Sequence, residues 1–203
     1  LPRAFCRSAA ERYLGDAKTV GPFLFGPFTV NKEDDFTDLH VTRIVADIAG
    51  LVRKYRGRLE LTRKAKRLLD AHGARGIYPA LFKAYVQDYS WAYADRYPEL
   101  GIVQQSWAFT AYLLTRYASE TRLSGFYADQ FLRAYPHSVA EAAEHPFDEP
   151  EVVVARCYDV RAIQRFAEFL GLVRIESDDA IRVRKHVRVT SLPLLADAVR
   201  FTQ

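Results

Sequence analysis

The amino-acid sequence predicts a mainly α-helical protein with two small β-hairpins around an aromatic-rich helical block. The sequence of residues 46–53 is repeated with substitutions at 167–174. Each copy runs from an amphipathic helix through Gly-Leu-Val-Arg into alternating strand residues. Between the copies, 15 of the 27 aromatic residues fall from Tyr78 to Tyr135, many of them at helical spacing. We expect these aromatic side chains to form a core rather than a base-stacking surface.

The composition is typical of a folded globular protein. The chain has 203 residues, of which 49% are hydrophobic and 27% are charged. It contains no Met and begins at Leu1, so it is either a fragment or has lost its Met positions. No apolar run approaches the roughly 18 residues that span a bilayer, and residues 1–25 do not resemble a signal peptide. Because Cys6 and Cys157 are also too few for a disulfide scaffold, we expect a cytoplasmic protein without membrane contact.

The N-terminal elements follow from helical spacing and from helix breakers. Apolar residues predict a helix from Arg3 to Ala17, whereas the prolines and glycines of Gly21–Phe28 predict an extended loop. Thr37 is a candidate N-cap for a helix from Asp38 to Ala49, which Gly50 would end.

The first hairpin is predicted next. Residues 51–55 alternate as a strand, Arg56-Gly57 forms a tight turn, and 59–61 return. Thr62 then caps a helix over 63–72.

The middle and C-terminal elements complete the prediction. Three aromatic-rich helices fill the middle, and two prolines make His145–Pro150 a linker. A helix over 159–170 leads to a second strand pair at 172–176 and 186–190, joined by a longer loop with acidic Ser177–Asp179. Thr190 or Ser191 would cap a last helix, Leu192–Phe201. The predicted domains are therefore residues 1–75, 76–145 and 146–203.

The first hairpin carries a family resemblance. Gly50-Leu51-Val52-Arg53, a basic hairpin, and then Leu-Thr-Arg-Lys-Ala-Lys-Arg-Leu-Leu at 61–69 resemble the second half of bacterial winged-helix regulators, although Ala65 stands where Gly is usual. The whole arrangement also resembles uncharacterised bacterial proteins with tandem winged-helix-like units. The resemblance covers about a third of the chain. It implies tandem winged-helix, helix-turn-helix-type units of a DNA-binding regulator.

Charge is concentrated in one segment. Residues 53–67 hold eight basic side chains and one acid, a net +7 within a chain of net +4. Basic groups on a wing and on the following helix favour charge-assisted contacts with phosphates. We therefore predict non-catalytic binding of duplex DNA, without a cofactor or metal. The predicted contacts are Arg43, Lys54, Arg56, Arg58, Arg63, Lys64 and Arg67.

Other interpretations stay open at this stage. The basic segment could be a solvated face or could meet an acidic protein surface, and the second unit could bind a protein partner or form a homodimer. Arg161, Gln164 and Arg165 offer a better base-reading set than the first helix does. An enzyme is the third alternative. It ranks last because the sequence contains no phosphate loop, dinucleotide fingerprint or nucleophile elbow. The weaker chemical candidates are His137, His145, Asp148 and Glu149 as metal ligands, Cys157 as a thiol, and Asp88, Asp95 and Glu99 as exposed helix acids.

Overall fold

The computed structural model describes residues 1–14, 18–20, 27–93, 95–142, 148–176 and 187–201. They form two compact units, Leu1–Tyr89 and Ser90–Gln203. In the first unit the first aromatic helix packs with the helix that follows the first hairpin, and the boundary between the units falls within the predicted block 76–145. Residues 145–147 of the predicted linker, the acidic segment Ser177–Asp179 and residues 21–26 of the Phe-rich loop lie outside the described residues. In the part of the chain that is described, no helix is long and apolar enough to cross a membrane.

The first unit is mainly helical, with two antiparallel hairpins. Its elements are α1 Arg3–Leu14, β1 Lys18–Val20, β2 Pro27–Thr29, a 3-10 helix Glu33–Asp35, α2 Thr37–Ile48, β3 Val52–Tyr55, β4 Arg58–Leu61, α3 Arg63–His72 and α4 Ala74–Gln87. One small core joins Cys6 and Ala10 of α1 to Val30 and Phe36. Phe36 is also the N-cap of α2, without a side-chain hydrogen bond, so Thr37 is the first helical residue rather than the predicted cap.

The second unit is helical around a three-stranded sheet. Its elements are α5 Gly101–Gln105, α6 Trp107–Tyr117, β5 Arg122–Leu123, α7 Ser124–Ala134, α8 Ser138–Glu141, α9 Pro150–Tyr158, a π-helix Asp159–Glu168, β6 Val173–Glu176, β7 Arg188–Ser191 and α10 Pro193–Ala198. The strand order is β5-β7-β6, all antiparallel. Aromatic rings pack in the core of this unit, as predicted for the aromatic block: Phe131 stacks on Tyr158 at 4.7 Å and Trp91 on Phe166 at 4.9 Å, and all four are buried.

The repeated segment forms the same helix-to-strand connection in both copies, at Gly50 and Gly171, and we call this connection the joint. Gly50 and Gly171 take φ of 66° and 71°, a region that glycine enters without steric cost. Each glycine N–H donates to the carbonyl three residues earlier, at 2.9 and 2.8 Å, and the following leucine N–H donates to the carbonyl five residues earlier, at 2.8 Å in both copies. This pair of bonds is a Schellman motif. Four residue pairs of an antiparallel ladder follow in each copy.

The closing threonines of the two copies are not equivalent. Thr62 caps α3 as predicted, because its hydroxyl accepts from the N–H of Ala65 at 3.2 Å. In the second copy the N-cap is Leu192, so the prediction of Thr190 or Ser191 as cap was wrong. Both of those residues lie in β7, since the ladder pairs them with β6. Leu192 holds the position of Thr62, and its N–H reaches the carbonyl of Leu172 at 2.9 Å.

A buried ion pair organises the start of the second unit. Arg161 on the π-helix and Asp95 in the loop before α5 each expose 1% of their side chains. Arg161 Nε donates to Asp95 Oδ2 at 2.6 Å and Nη2 donates to Oδ1 at 3.0 Å, a bidentate pairing. The guanidinium also donates to the carbonyls of Pro98 and Glu99. Burial opposes the charge of Arg161, but the hydrogen bonds to Asp95 and the electrostatic interactions with Cys157, Asp95 and Tyr97 together outweigh it and raise the pKa of Arg161.

This pair corrects two predictions. Asp95 is not an exposed helix acid, because it lies in a loop and is buried by its pairing. Arg161 is not available to read bases, because the loop covers it. Arg165 is bound to the same region through the carbonyl of Tyr93, at 2.9 Å. The sequence-based base-reading surface on this helix is therefore largely an anchor for the loop at 95–99.

Close packing between α3 and α4 depends on Gly76. A Cβ at this position would lie 2.6 Å from the carbonyl oxygen of Leu68 and 2.9 Å from Cβ of His72. We expect Gly76→Ala to lower the free energy of unfolding by roughly 1–2 kcal/mol, because the overlap costs more than the gain in helix propensity. Chemical denaturation followed by far-UV circular dichroism measures the change. Gly101→Ala is the control, since its Cβ would meet only the Gln105 amide at 3.6 Å; an equal loss there would contradict the packing argument.

Breaking the buried ion pair should be costly, whereas replacing both partners should not. We expect Arg161→Met alone to destabilise the second unit by about 3–5 kcal/mol, because it leaves the Asp95 carboxylate buried and unpaired. The double variant Arg161→Met/Asp95→Leu should recover most of that loss. Tryptophan fluorescence in urea reports the transition, since both tryptophans lie in this unit. A double variant no more stable than Arg161→Met would contradict the prediction.

Candidate nucleic-acid interface

The first hairpin presents two chemically different faces. Its register pairs Val52 with Leu61, Arg53 with Glu60, Lys54 with Leu59 and Tyr55 with Arg58. Because side chains alternate across a strand, one face carries Arg53, Tyr55, Arg58 and Glu60, and the other carries Val52, Lys54, Leu59 and Leu61. The polar face is predominantly cationic. The other face is mainly apolar, with Leu59 and Leu61 42% and 44% exposed.

A strained two-residue turn ends the hairpin. Arg56 and Gly57 both have positive φ, 47° and 77°, as a type I′ turn requires. Glycine takes this conformation freely, but a side chain with a Cβ, such as arginine, pays a steric cost there. The turn therefore carries a cation at a position where asparagine would be more stable.

The eight basic side chains of residues 53–67 are all exposed. Of these eight side chains, only that of Arg53 has an ion-pair partner among the described residues. The partner is the Glu60 carboxylate opposite it, at 3.6 Å. Both side chains of that pair are largely exposed, so the pair contributes little stability, and seven positive charges of the segment remain without a partner carboxylate in the described part of the chain. The segment is therefore an open cationic surface, which we call the basic wing: the hairpin 52–61 and the first turns of α3.

One basic side chain of the wing has a structural contact. Lys64 Nζ donates to the carbonyl of Ala49 at 2.8 Å, and the Thr62 hydroxyl donates to the carbonyl of Gly50 at 2.8 Å. These two bonds satisfy carbonyls at the C-terminus of α2, where a cation is also favoured by the helix dipole. They tie the start of α3 to the end of α2, so Lys64 stabilises the fold in addition to contributing charge.

The cations of α3 lie near its N-terminus, where positive charge destabilises a helix. The first turn holds Arg63 and Lys64 and no acid, and Lys66 and Arg67 follow. A cation near a helix N-terminus opposes the macrodipole by about 0.3–1 kcal/mol. The positive end of the dipole instead adds to the potential of these side chains, which attracts anions.

Arg43 is placed differently from the other predicted contacts. It is half-buried on α2 and forms an ion pair with Glu33, whose Oε1 also lies 2.9 Å from Nδ1 of His40. Burial opposes ionisation of Glu33, but the hydrogen bonds from Arg43 and His40 outweigh it and hold the pKa of this carboxyl below its ordinary value. The charge of Arg43 is thus compensated within the fold, and it does not belong to the basic wing.

Sequence reasoning missed one residue of the wing. The Tyr55 ring lies at the hairpin tip, 44% exposed, with the guanidinium carbons of Arg53 and Arg56 at 5.3 and 5.2 Å from its centroid. Both distances are within the range of a cation–π interaction. The signal was present in the sequence as Arg-Lys-Tyr-Arg, where the strand period places Arg53 and Tyr55 on one face.

The second hairpin is not comparably basic over its described strands. Arg174 and Glu176 lie exposed on β6, and the ladder sets Glu176 opposite Arg188 of β7. Opposite charges therefore alternate where the first hairpin has cations. This agrees with the prediction that the two repeats differ in charge.

The other chemical candidates do not come together into a site. Asp148 is ion-paired with Arg156 at 2.7 Å, and the described residues contain no group of three side chains that could hold a metal; His145 lies outside them. Asp88 is the C-cap of α4 and Glu99 lies in a loop, both exposed. Cys157 is fully buried, and burial raises the pKa of its thiol to about 12, the reverse of what a thiolate nucleophile needs.

Comparison with known proteins found one similarity. The family model of the Y4jL N-terminal domain matches residues 3–74, which is about a third of the chain and runs from α1 to the end of α3. The matched segment contains the whole basic wing. No curated protein matched the chain. No solved structure matched it either.

The environment of Cys157 gives a direct test. We expect the native protein to resist thiol reagents at pH 8 at this position, because the thiol is buried and protonated. The raised pKa stabilises the fold fully below the unfolded value of about 8.5, and this contribution is lost as pH rises toward 12. Mass spectrometry after alkylation, with and without denaturant, measures the reactivity. Rapid labelling of native Cys157 at pH 8 would show that the site opens.

Proposed function

We propose that this protein binds duplex DNA without catalysis, through phosphate contacts of the basic wing. The contacts are Lys54, Arg56, Arg58, Arg63, Lys64 and Arg67, with Arg53 added. The single observation that carries the proposal is the exposure of all eight cations of residues 53–67 with one exposed carboxylate between them. Phosphate contacts of this kind give affinity rather than sequence recognition.

Two features of the wing support an anion partner over a merely solvated face. Arg56 occupies a strained turn position, and cations gather at the N-terminus of α3 against its dipole. Both features cost folding stability. A bound phosphate backbone would offset both costs, since the cations would then face negative charge.

The same proposal includes winged-helix-like units. In the second unit, β5 lies between α6 and α7 in sequence and pairs with the returning strand of the hairpin. A helix, the Gly171 joint and the two hairpin strands then follow one another. The first unit has the joint and the wing, but a hairpin, β1–β2, lies between its first two long helices. The second unit therefore gives this interpretation its better support.

Salt dependence is the primary test. We expect a fluorescent 20-base-pair duplex of arbitrary sequence to bind with a log–log salt slope of roughly −4 to −5, because four to six phosphates are neutralised. Raising monovalent salt from 50 to 200 mM should weaken binding about 10²- to 10³-fold. Fluorescence anisotropy measures both values. No binding at 50 mM salt would exclude the proposal.

Charge reversal locates the contact. Arg56→Glu/Arg58→Glu should reduce affinity by at least about tenfold and flatten the salt slope by about 2. Arg3→Glu/Arg12→Glu is the matched control, because it reverses two exposed charges of the same unit outside the wing. Equal losses in the two variants would assign binding to the net charge of the unit rather than to the wing.

Arg56→Asn separates binding from folding. Asparagine favours the positive φ of this turn, so the variant should be more stable by about 0.5–1 kcal/mol. It should nevertheless bind duplex DNA several-fold more weakly, with a slope reduced by about 1. Thermal unfolding and anisotropy give the two values. Unchanged affinity would remove Arg56 from the contact.

A second candidate function is docking to an acidic protein surface. The observation that favours it is the exposure of Leu59 and Leu61 on the apolar face of the hairpin, beside the cations. Binding to such a partner should be lost in Leu59→Ser/Leu61→Ser, whereas duplex binding should be nearly unaffected. A partner or a second copy bound through the second unit stays a prediction.

A further inference from the structure

We propose that Tyr55 is a positioning residue of the basic wing, which orders the guanidinium groups of Arg53 and Arg56 for phosphate contact. This inference rests on the proposed DNA binding. It goes beyond that proposal because Tyr55 carries no charge and neutralises no phosphate itself.

The geometry at the hairpin tip carries the argument. Tyr55 pairs across the ladder with Arg58, lies on the same strand face as Arg53, and is followed directly by Arg56 in the turn. Two guanidinium groups, those of Arg53 and Arg56, therefore lie over one ring, at 5.3 and 5.2 Å from its centroid. The negative face of the aromatic ring offsets part of the repulsion among these like charges.

Ordering matters because long cationic side chains lose rotamer freedom when they bind. Immobilising each such side chain costs association free energy. An arginine already held against a ring loses less freedom on contact with a phosphate, since its guanidinium is pre-oriented. Tyr55 thus raises affinity without adding a contact.

A base-stacking role fits the same residue less well. Aromatic side chains that bind single strands offer a free ring face to an unpaired base. Two guanidinium groups already lie over the Tyr55 ring, so a base would have to displace at least one of them. The occupied ring favours the positioning role.

The test is a double-mutant cycle on duplex binding. Tyr55→Leu should weaken binding about three- to tenfold, at every salt concentration and with an unchanged slope, because all cations remain. Tyr55→Phe should bind like the wild type, since the ring is kept. In an Arg53→Ala/Arg56→Ala background, Tyr55→Leu should cost nothing further, because nothing remains to be positioned.

Several outcomes would overturn the inference. An equal loss for Tyr55→Leu in both backgrounds would mean that Tyr55 contacts DNA itself. A larger loss on a single strand than on the duplex would assign it to base stacking. Tyr13→Leu, in a tyrosine 62% exposed on α1, is the control and should bind normally.

The result is distinguishable from failure of the proposed function. If the wild type does not bind the duplex at 50 mM salt, the proposed function fails first. If the wild type binds with the expected slope and Tyr55→Leu is unchanged, only the positioning role fails. Thermal unfolding of each variant excludes a loss through misfolding, because Tyr55 is exposed and Tyr55→Leu should unfold at nearly the wild-type temperature.

Discussion

The hydrogen bonds that end α2 at Gly50 determine where the charge of the first unit lies. A positive φ at this glycine turns the chain out of the helix and directly into β3, and the Schellman pair fixes the angle of that exit. Thr62 and Lys64 then return to the same helix end and bind its free carbonyls. The hairpin is thus held at its base from both strands. The eight basic side chains of residues 53–67 all belong to the segment that this joint positions.

The joint is shared by both repeats, but its consequences are not. Gly171 repeats the geometry within a few degrees of φ, and both ladders contain four residue pairs. Backbone hydrogen bonding does not depend on side-chain charge, so equivalent joints can carry different surfaces. The first hairpin concentrates cations, with Tyr55 among them, whereas the described strands of the second set Glu176 opposite Arg188. A structural repeat therefore does not make a functional one.

In the second unit, the basic side chain Arg161 of the π-helix is buried and has a structural role instead of the predicted base-reading one. Arg161 has the residue type and the position of a base-reading side chain. Its guanidinium, however, donates hydrogen bonds to one carboxylate and two backbone carbonyls. Such a pair is stable only when every donor is satisfied, because desolvation of each charge is expensive. The loop at 95–99 supplies the acceptors, and Trp91 packs on Phe166 beside it. The π-helix thus serves to hold a loop, and Arg161 is not part of the exposed surface.

Local chemistry was readable from the sequence alone. The Arg56-Gly57 turn, the Thr62 cap, the aromatic helices and the density of charge at 53–67 each depend on residues that are close in the chain. Only the tertiary structure could decide which charges stay in water. Arg43 meets Glu33 and Arg161 meets Asp95 across 10 and 66 positions, distances over which spacing carries no signal. The register of β7 likewise made Leu192, not Thr190, the residue that opens the last helix, because strand pairing overrides capping preference. Periodicity and turn chemistry thus indicated most of the helices and both hairpins, but not β5, whose two residues form a strand through pairing with β7. Long-range packing determined which surfaces are buried.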